Sequence, residues 1–261
     1  MTRLNHLPQN LKQRLEQKAL LKIISGLSNF QKNSVKKIAH AAGCGGADLL
    51  DIACDPELVS LAIEVSGLPV CVSAVDPERF PRAVEAGASI IEIGNFDSFY
   101  PQGRFFSSQE VFQLALQTRK LLPDVVLSVT VPHILALDKQ AELALDLVEI
   151  EVDLIQTEGG TSSKPFSPGS LGLIEKAAPS LAAAHTISSA FNNAGCNIPI
   201  LCASGLSSVT LPMAISVGAS GVGVGSAINR LNDDISMIAA IKNLREAFKE
   251  SSEVYNSQAS F

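Results

Sequence analysis

Eight times along the 261-residue chain, a short apolar run ends in a small or polar residue and hands over to a stretch with helical spacing. The interval is roughly 20 to 35 residues, the rhythm of repeated βα units. The runs are Leu20 to Gly26, Leu49 to Asp55, Pro69 to Ala74, Ile90 to Asn95, Val125 to Val131, Asp153 to Gly160, Pro199 to Gly205, and GVGVGS from Gly221. Between them lie helical stretches such as SSQEVFQLALQTRKLL, with a cap at Ser107 or Ser108, and SSVTLPMAISVG, running from Ser207 to a stop at Gly218. Each connection is long enough for a crossover, so the strands are expected to run parallel. Eight parallel strands alternating with helices predict a single (β/α)8 TIM barrel, and the length suits one. The competing arrangement, an open doubly wound sheet, wants a GxGxxG after its first strand, whereas here the glycine-alternating strand is the last. Residues 1–18 read as an extra N-terminal helix, 19–250 as the barrel, and 251–261 as a frayed tail.

Composition narrows the partners. A net charge of -6 with scattered lysines and arginines offers no stripe for a nucleic-acid backbone. No apolar run approaches a membrane span, and the first 18 residues lack a signal-peptide core. The 5 cysteines form no CxxC pair and the 4 histidines lie far apart, so a reduced compartment and no structural zinc are expected. Cys71 and Cys202, inside apolar runs, read as small buried hydrophobes, and His185 as packing or surface. No cofactor motif is evident. Asp51, Asp55, Glu92 and Glu158 offer oxygens to a divalent ion, but no spacing enforces one.

Strand residues alternate between lumen and helix layer, and the helix layer demands branched apolar side chains. Turning Leu21, Ile23, Leu50, Ile52, Ile91 and Ile93 outward sends Lys22, Asp51, Ala53, Glu92, Gly94, Ser128, Thr130, Gln156 and Glu158 inward, with Asp55 a further candidate. So polar a lumen must pair its charges or expose them to water and substrate. Asp55, Asn95, His133 and Glu158 stand at or just past strand ends, where barrel active sites form. Lys22, Asp51, Glu92, His133 and Glu158 are therefore the candidate catalytic groups, with a structural salt-bridge network as the competing role for Lys22 and Glu92. A carboxylate beside Lys22 keeps it protonated, which argues for acid-base work over a Schiff base.

The last two strands read ILCASGL and GVGVGSAI. Main-chain N–H groups at Ser204, Gly205, Gly225 and Ser226 are placed to converge on an anion, and barrels often hold phosphate after strands seven and eight. The loop EGGTSSKPFSPGS adds Gly159, Gly160 and Thr161 as phosphate ligands and Lys164 as a mobile cation, in a flap long enough to close on ligand. Glycines that only make room for lumen neighbours are the alternative.

The motifs DIACDPELV, LPVCVSAV, IEIGNFDSFY, QTEGGTSS, GLIEKAAPSLA, CASGLS and GVGVGSAINRLND together resemble the hypothetical chloroplast open reading frame twenty-three family of algal plastids and cyanobacteria, over Ala19 to Leu244. That resemblance implies a phosphate-binding barrel in the plastid stroma of an alga or the cytoplasm of a cyanobacterium, with no established reaction. The chain is also similar, more distantly, to epimerases of N-acyl-mannosamine phosphates. Where those carry their proton-moving groups, this chain has Ser204 in ASG and Ser73 in VSA, so only the phosphate grip at Gly205, Gly225 and Ser226 carries over. The expected function is an isomerase, aldolase or lyase acting on a small phosphorylated metabolite. A non-catalytic sensor of such a metabolite is the second reading, and a homo-oligomer is left open.

Overall fold

The computed structural model describes residues 3–160, 162–231 and 233–258, with side chains through 248. Its strands are β1 (Leu20–Gly26), β2 (Leu49–Ala53), β3 (Val70–Ala74), β4 (Ile90–Ile93), β5 (Val126–Thr130), β6 (Leu154–Gln156), β7 (Ile200–Ala203) and β8 (Gly221–Val224). They close in sequence order into a parallel barrel, with β8 pairing back onto β1. The helices are α1 (Gln9–Glu16), α2 (Lys32–Gly45), α3 (Pro56–Ser66), α4 (Phe80–Glu85), α5 (Ser108–Leu121), α6 (Leu137–Glu149), α7 (Gly169–Ala194), α8 (Leu211–Ser216), α9 (Ser226–Asn229) and α10 (Asp234–Gln258). The chain thus folds as a (β/α)8 TIM barrel. α10 continues past residue 250 to Gln258, and residues 259–261 lie outside the described residues.

The two faces of each strand sort by chemistry as the alternation predicts. Leu21, Ile23, Leu50, Ile52, Ile91, Ile93, Leu127, Val129, Ile155 and Val222 join the helices in one continuous core. The lumen is layered instead. At its N-terminal end, Leu20, Leu49, Cys71, Ile90, Val126, Leu154 and Leu201 meet Leu7, Leu11 and Leu15, so α1 plugs the bottom of the barrel with an apolar stripe. The glycines of β8 are explained by their neighbours. A Cβ on Gly221 would come within 2.6 Å of the Leu20 carbonyl, and one on Gly223 within 2.9 Å of both Ala203 and Ile24.

Local signals set the helix ends. Ser107 caps α5 by accepting from the Glu110 amide at 3.2 Å. α8 begins at Leu211, later than the Ser207 start expected, because Ser207 and Thr210 close a turn on each other and Pro212 fixes the first helical turn. The bottom face is tied by Arg119, whose Nη2 lies 2.6 Å from Asp153, and by Arg3 at 3.6 Å from the same carboxylate.

Candidate active site

Above the apolar plug the lumen turns polar. Lys22, Asp51 and Glu92 are each 0% exposed, and Lys22 Nζ lies 2.8 Å from Asp51 Oδ2 and 2.8 Å from Glu92 Oε2. Lys22 also donates to Gln156 Oε1 at 3.0 Å. Ser73 donates to Asp51 at 2.7 Å, Ser128 to Glu92 at 2.8 Å, and Gln156 Nε2 to Glu92 at 2.6 Å. Such a network satisfies buried charge that would otherwise cost several kcal/mol per group. Burial opposes the charge on Lys22, but Asp51 and Glu92 outweigh it and hold the ammonium well above the usual lysine range. Burial pushes the Asp51 carboxyl up to about 6 against the pull of Lys22, and drives the neighbouring Cys71 thiol far up.

Asn95 roofs this layer. It sits at the end of β4 in the left-handed conformation, with φ 62°, and its amide donates to Ser73 Oγ at 3.1 Å and Glu92 Oε1 at 3.2 Å. A non-glycine residue held there is strained and persists only where its surroundings fix it, as these two bonds do.

The turn after Asn95 carries a residue that strand alternation does not reach. Asp97, 8% exposed, faces His133 and Glu158. His133 Nδ1 lies 3.2 Å from Asp97 Oδ1 and 3.3 Å from Glu158 Oε1. Glu158, 3% exposed, accepts from Tyr100 Oη at 2.6 Å and from the amides of Asp97 at 3.1 Å and His133 at 3.2 Å. Asp97 in turn accepts from the hydroxyls of Ser162 at 3.2 Å and Ser204 at 3.3 Å. Burial raises the Glu158 carboxyl, although its bonds to His133 and Tyr100 pull the other way. For His133, burial opposes the proton, but the bond to Glu158 and the charges of Asp97 and Glu158 prevail and raise it. A carboxyl and an imidazole, both holding their protons more tightly than usual, thus share one edge. The same three side chains put ligand atoms within 4.8 Å of one another and could hold a metal ion, as could Asp51, Cys71 and Glu92 below.

Both carboxylates of this upper cluster open onto a cleft of 290 Å³ at the C-terminal mouth of the barrel. Asn95, Asp97 and Glu158 line it together with Ser204, Gly205, Gly225, Ser226 and Arg230, which follow β7 and β8. Ser204 and Gly205 are consecutive left-handed residues, with φ 75° and 77°. A Cβ on Gly205 would approach the Lys176 carbonyl to 2.6 Å and Gly160 Cα to 2.8 Å, so only glycine fits the turn.

Four of the predicted phosphate ligands, Ser204, Gly205, Gly225 and Ser226, therefore meet in one cleft. Gly159 and Gly160 are buried behind it, Gly159 donating to Asp97 at 3.4 Å and Gly160 packing on Gly205. Thr161 lies outside the described residues. Lys164 is exposed and not part of the cleft wall, while Glu175 ties the same loop down by accepting from Phe166 at 2.7 Å and from Ser167 at 2.6 Å. Of the predicted catalytic groups, Glu158 lines the cleft with His133 against it, whereas Lys22, Asp51 and Glu92 are sealed beneath its floor. Asp55 points elsewhere. It caps α3, accepting from the amides of Glu57 and Leu58 at 3.0 Å, because an aspartate before a proline-led helix serves the free N–H groups first. Sequence reasoning missed Asp97 and Arg230, although each stands a few residues past a strand end.

Residues 6–254 match a family model described as "Protein of unknown function (DUF561)". The chain belongs to the DUF561 family. Curated relatives of this DUF561 chain include proteins named ycf23 from Cyanophora paradoxa, 46% identical over 88% of this chain and 93% of the relative, and from Porphyra purpurea, 39% identical over 92% and 88%. Among solved structures, the DUF561 barrel is similar to a thiamine phosphate pyrophosphorylase from Pyrococcus furiosus, with a TM-score of 0.58, 15% identity, and 91% of this chain and 98% of that one covered. It is also similar to a 3-hexulose-6-phosphate synthase, with a TM-score of 0.59, 15% identity, and coverage of 87% and 99%. A (S)-3-O-geranylgeranylglyceryl phosphate synthase from Thermoplasma acidophilum, solved with sn-glycerol-1-phosphate, gives 0.59, 13% identity, and 94% and 100%. At these identities the likeness concerns the fold. Among the described residues, no helix of the DUF561 chain is long and apolar enough to cross a membrane.

Proposed function

We propose that this barrel is an enzyme of isomerase, aldolase or lyase type acting on a small phosphorylated metabolite. The observation that carries the reading is the shared cleft. The turns after β7 and β8, with Ser204, Gly205, Gly225 and Ser226, line the same space as the carboxylates of Asp97 and Glu158. In this reading the main-chain N–H groups of those turns and the Arg230 guanidinium hold the phosphate. The far end of the substrate then lies against Glu158 and His133, which move a proton to or from a carbon or hydroxyl next to a carbonyl. Asp97 orients the imidazole. Lys22, Asp51 and Glu92 act from below as fixed charge rather than by touching substrate. The phosphorylated compounds named for the resembling synthases support the choice of substrate class. The plastid stroma or the cytoplasm of a cyanobacterium is the setting we infer from the ycf23 relatives.

The test is a thermal-shift screen of sugar, polyol and amino-compound phosphates, each beside its dephosphorylated counterpart, followed by mass spectrometry of any pair that separates. Stabilisation by the phosphorylated member alone, abolished by Gly205→Ala, and a change in the ligand's mass or isomer are expected. Stabilisation with the ligand unchanged would make the protein a sensor. No discrimination between phosphorylated and bare compounds would end the phosphate reading.

A further inference from the structure

The cleft is lined by charges of both signs, and that mixture bears on what the ligand carries besides phosphate. The charged residues in its lining are Asp97, Glu158 and Arg230. Arg230 makes no ion pair among the described residues, so its charge is available to an anion. The same lining also carries acceptors. Glu158 Oε2 receives one amide, from Asp97 at 3.1 Å, and keeps lone-pair capacity. Asn95 spends its Nδ2 on Ser73 and Glu92, which fixes the amide's orientation and leaves Oδ1 as its open group. Asp97 contributes a second carboxylate to the lining, acting chiefly through its charge, since its oxygens already accept from Ser162, Ser204 and Gly159 and face His133.

Charge says the same as donor count. Two carboxylates face one imidazole, so the upper cluster is negative even when His133 is protonated. Beneath it, Lys22 balances one of Asp51 and Glu92 but not both. A phosphate dianion entering this cleft is drawn to Arg230 and repelled by Asp97 and Glu158. A ligand that also carries a cation removes that conflict and supplies several donors to these acceptors, in bonds about twice as strong as those of a neutral hydroxyl.

We propose that the cleft selects a phosphorylated amine, its phosphate on the β7 and β8 turns with Arg230 and its ammonium on Glu158, Asp97 and Asn95 Oδ1. This rests on the phosphate reading above and goes further by naming the substrate's second functional group. The cleft volume of 290 Å³ limits the ligand to a short carbon chain or a single small ring.

Calorimetric titration of the full native chain at pH 7 with matched probes tests this. The probes are 2-aminoethyl and 3-aminopropyl phosphate, the corresponding hydroxyalkyl phosphates, the same amines without phosphate, and inorganic phosphate. The aminoalkyl phosphates are expected to bind about tenfold or more tightly than the hydroxyalkyl phosphates. Asp97→Asn and Glu158→Gln should erase that ratio, while Arg230→Gln should weaken all phosphates alike and preserve it. Hydroxyalkyl phosphates that bind as well as the amines would overturn the amine and leave the phosphate reading standing. A hydroxyalkyl phosphate that gains affinity only with Mn²⁺ would also overturn it, assigning the carboxylates to a metal instead. Failure of every phosphate to bind would overturn both readings. Because the ratio is measured first on the native protein, the result holds however the variants fold.

Discussion

In the lower lumen a lysine faces two carboxylates; in the upper lumen a histidine does. The lower set is 0% exposed and each group is held by strand residues, Lys22 on β1, Asp51 on β2 and Glu92 on β4. The upper set stands past the strand ends, and two of its members open onto the cleft. The difference in cation decides the difference in use. A lysine locked between two acids stays charged across the whole accessible pH range and serves as a fixed counter-charge, whereas an imidazole titrates where an enzyme works.

The largest effect expected from this contrast is on stability. Lys22→Met leaves two buried carboxylates without their cation and should cost about 3–5 kcal/mol in urea denaturation. Combining it with Asp51→Asn and Glu92→Gln should recover most of the loss, since the charges leave together. A loss below about 1 kcal/mol for Lys22→Met alone would mean that water reaches the lower cluster, and the contrast would fail. Next in size is an effect on catalysis. Glu158→Gln should lower kcat by about 100-fold on any phosphate ester the protein turns over, the signature of a lost proton-transfer group, and should raise KM as well only where the substrate carries an ammonium. A loss confined to KM, with kcat unchanged, would move Glu158 from chemistry to binding.

Tyr100→Phe sharpens the comparison within the upper cluster. It removes the 2.6 Å bond to Glu158 and should cost about 1–2 kcal/mol. Because that bond holds the carboxyl down, its loss should also shift the acid limb of the rate profile to higher pH. An unmoved acid limb would take Glu158 out of the rate profile.

How much of the molecule is legible in its sequence follows from where the information sits. Strand alternation is a short-range pattern, so turning Leu21 and Ile23 outward is enough to send Lys22 into the lumen, and the same logic finds Asp51, Glu92, Gln156 and Glu158. The height of each residue in the barrel depends on stagger, which no single strand records. Lys22 pairs in register with Leu49 while Ile24 meets Asp51, and only that offset brings Lys22 Nζ to the carboxylate from one layer below. Loops are harder still. Asp97 follows a left-handed turn at Asn95 that returns the chain over the lumen, and its partners Ser162 and Ser204 come from loops 65 and 107 residues away. Asp55 misleads because a carboxylate past a strand end can face the lumen or cap the next helix, and the proline after it favours the cap.

The smallest effect is the one that separates the two cations most directly. His133 binds its proton more tightly folded than unfolded, since Glu158 and Asp97 outweigh burial. The stability this confers is fully present below the unfolded value of about 6.5 and is lost as pH rises through the folded value. Glu158, raised by burial, acts in the same direction, its proton also held more firmly in the native state. The stability difference between the native chain and His133→Gln should therefore be largest on the acid side and shrink as pH rises, while the cost of Lys22→Met should grow with pH, because the Asp51 carboxyl, already pushed up to about 6, is a stranded charge only where it is ionised. Denaturation at stepped pH, with the His133 ring followed by NMR, measures both. A His133 difference that grows toward alkaline pH would mean a neutral ring in the folded state, and the upper cluster would then be held by hydrogen bonds alone.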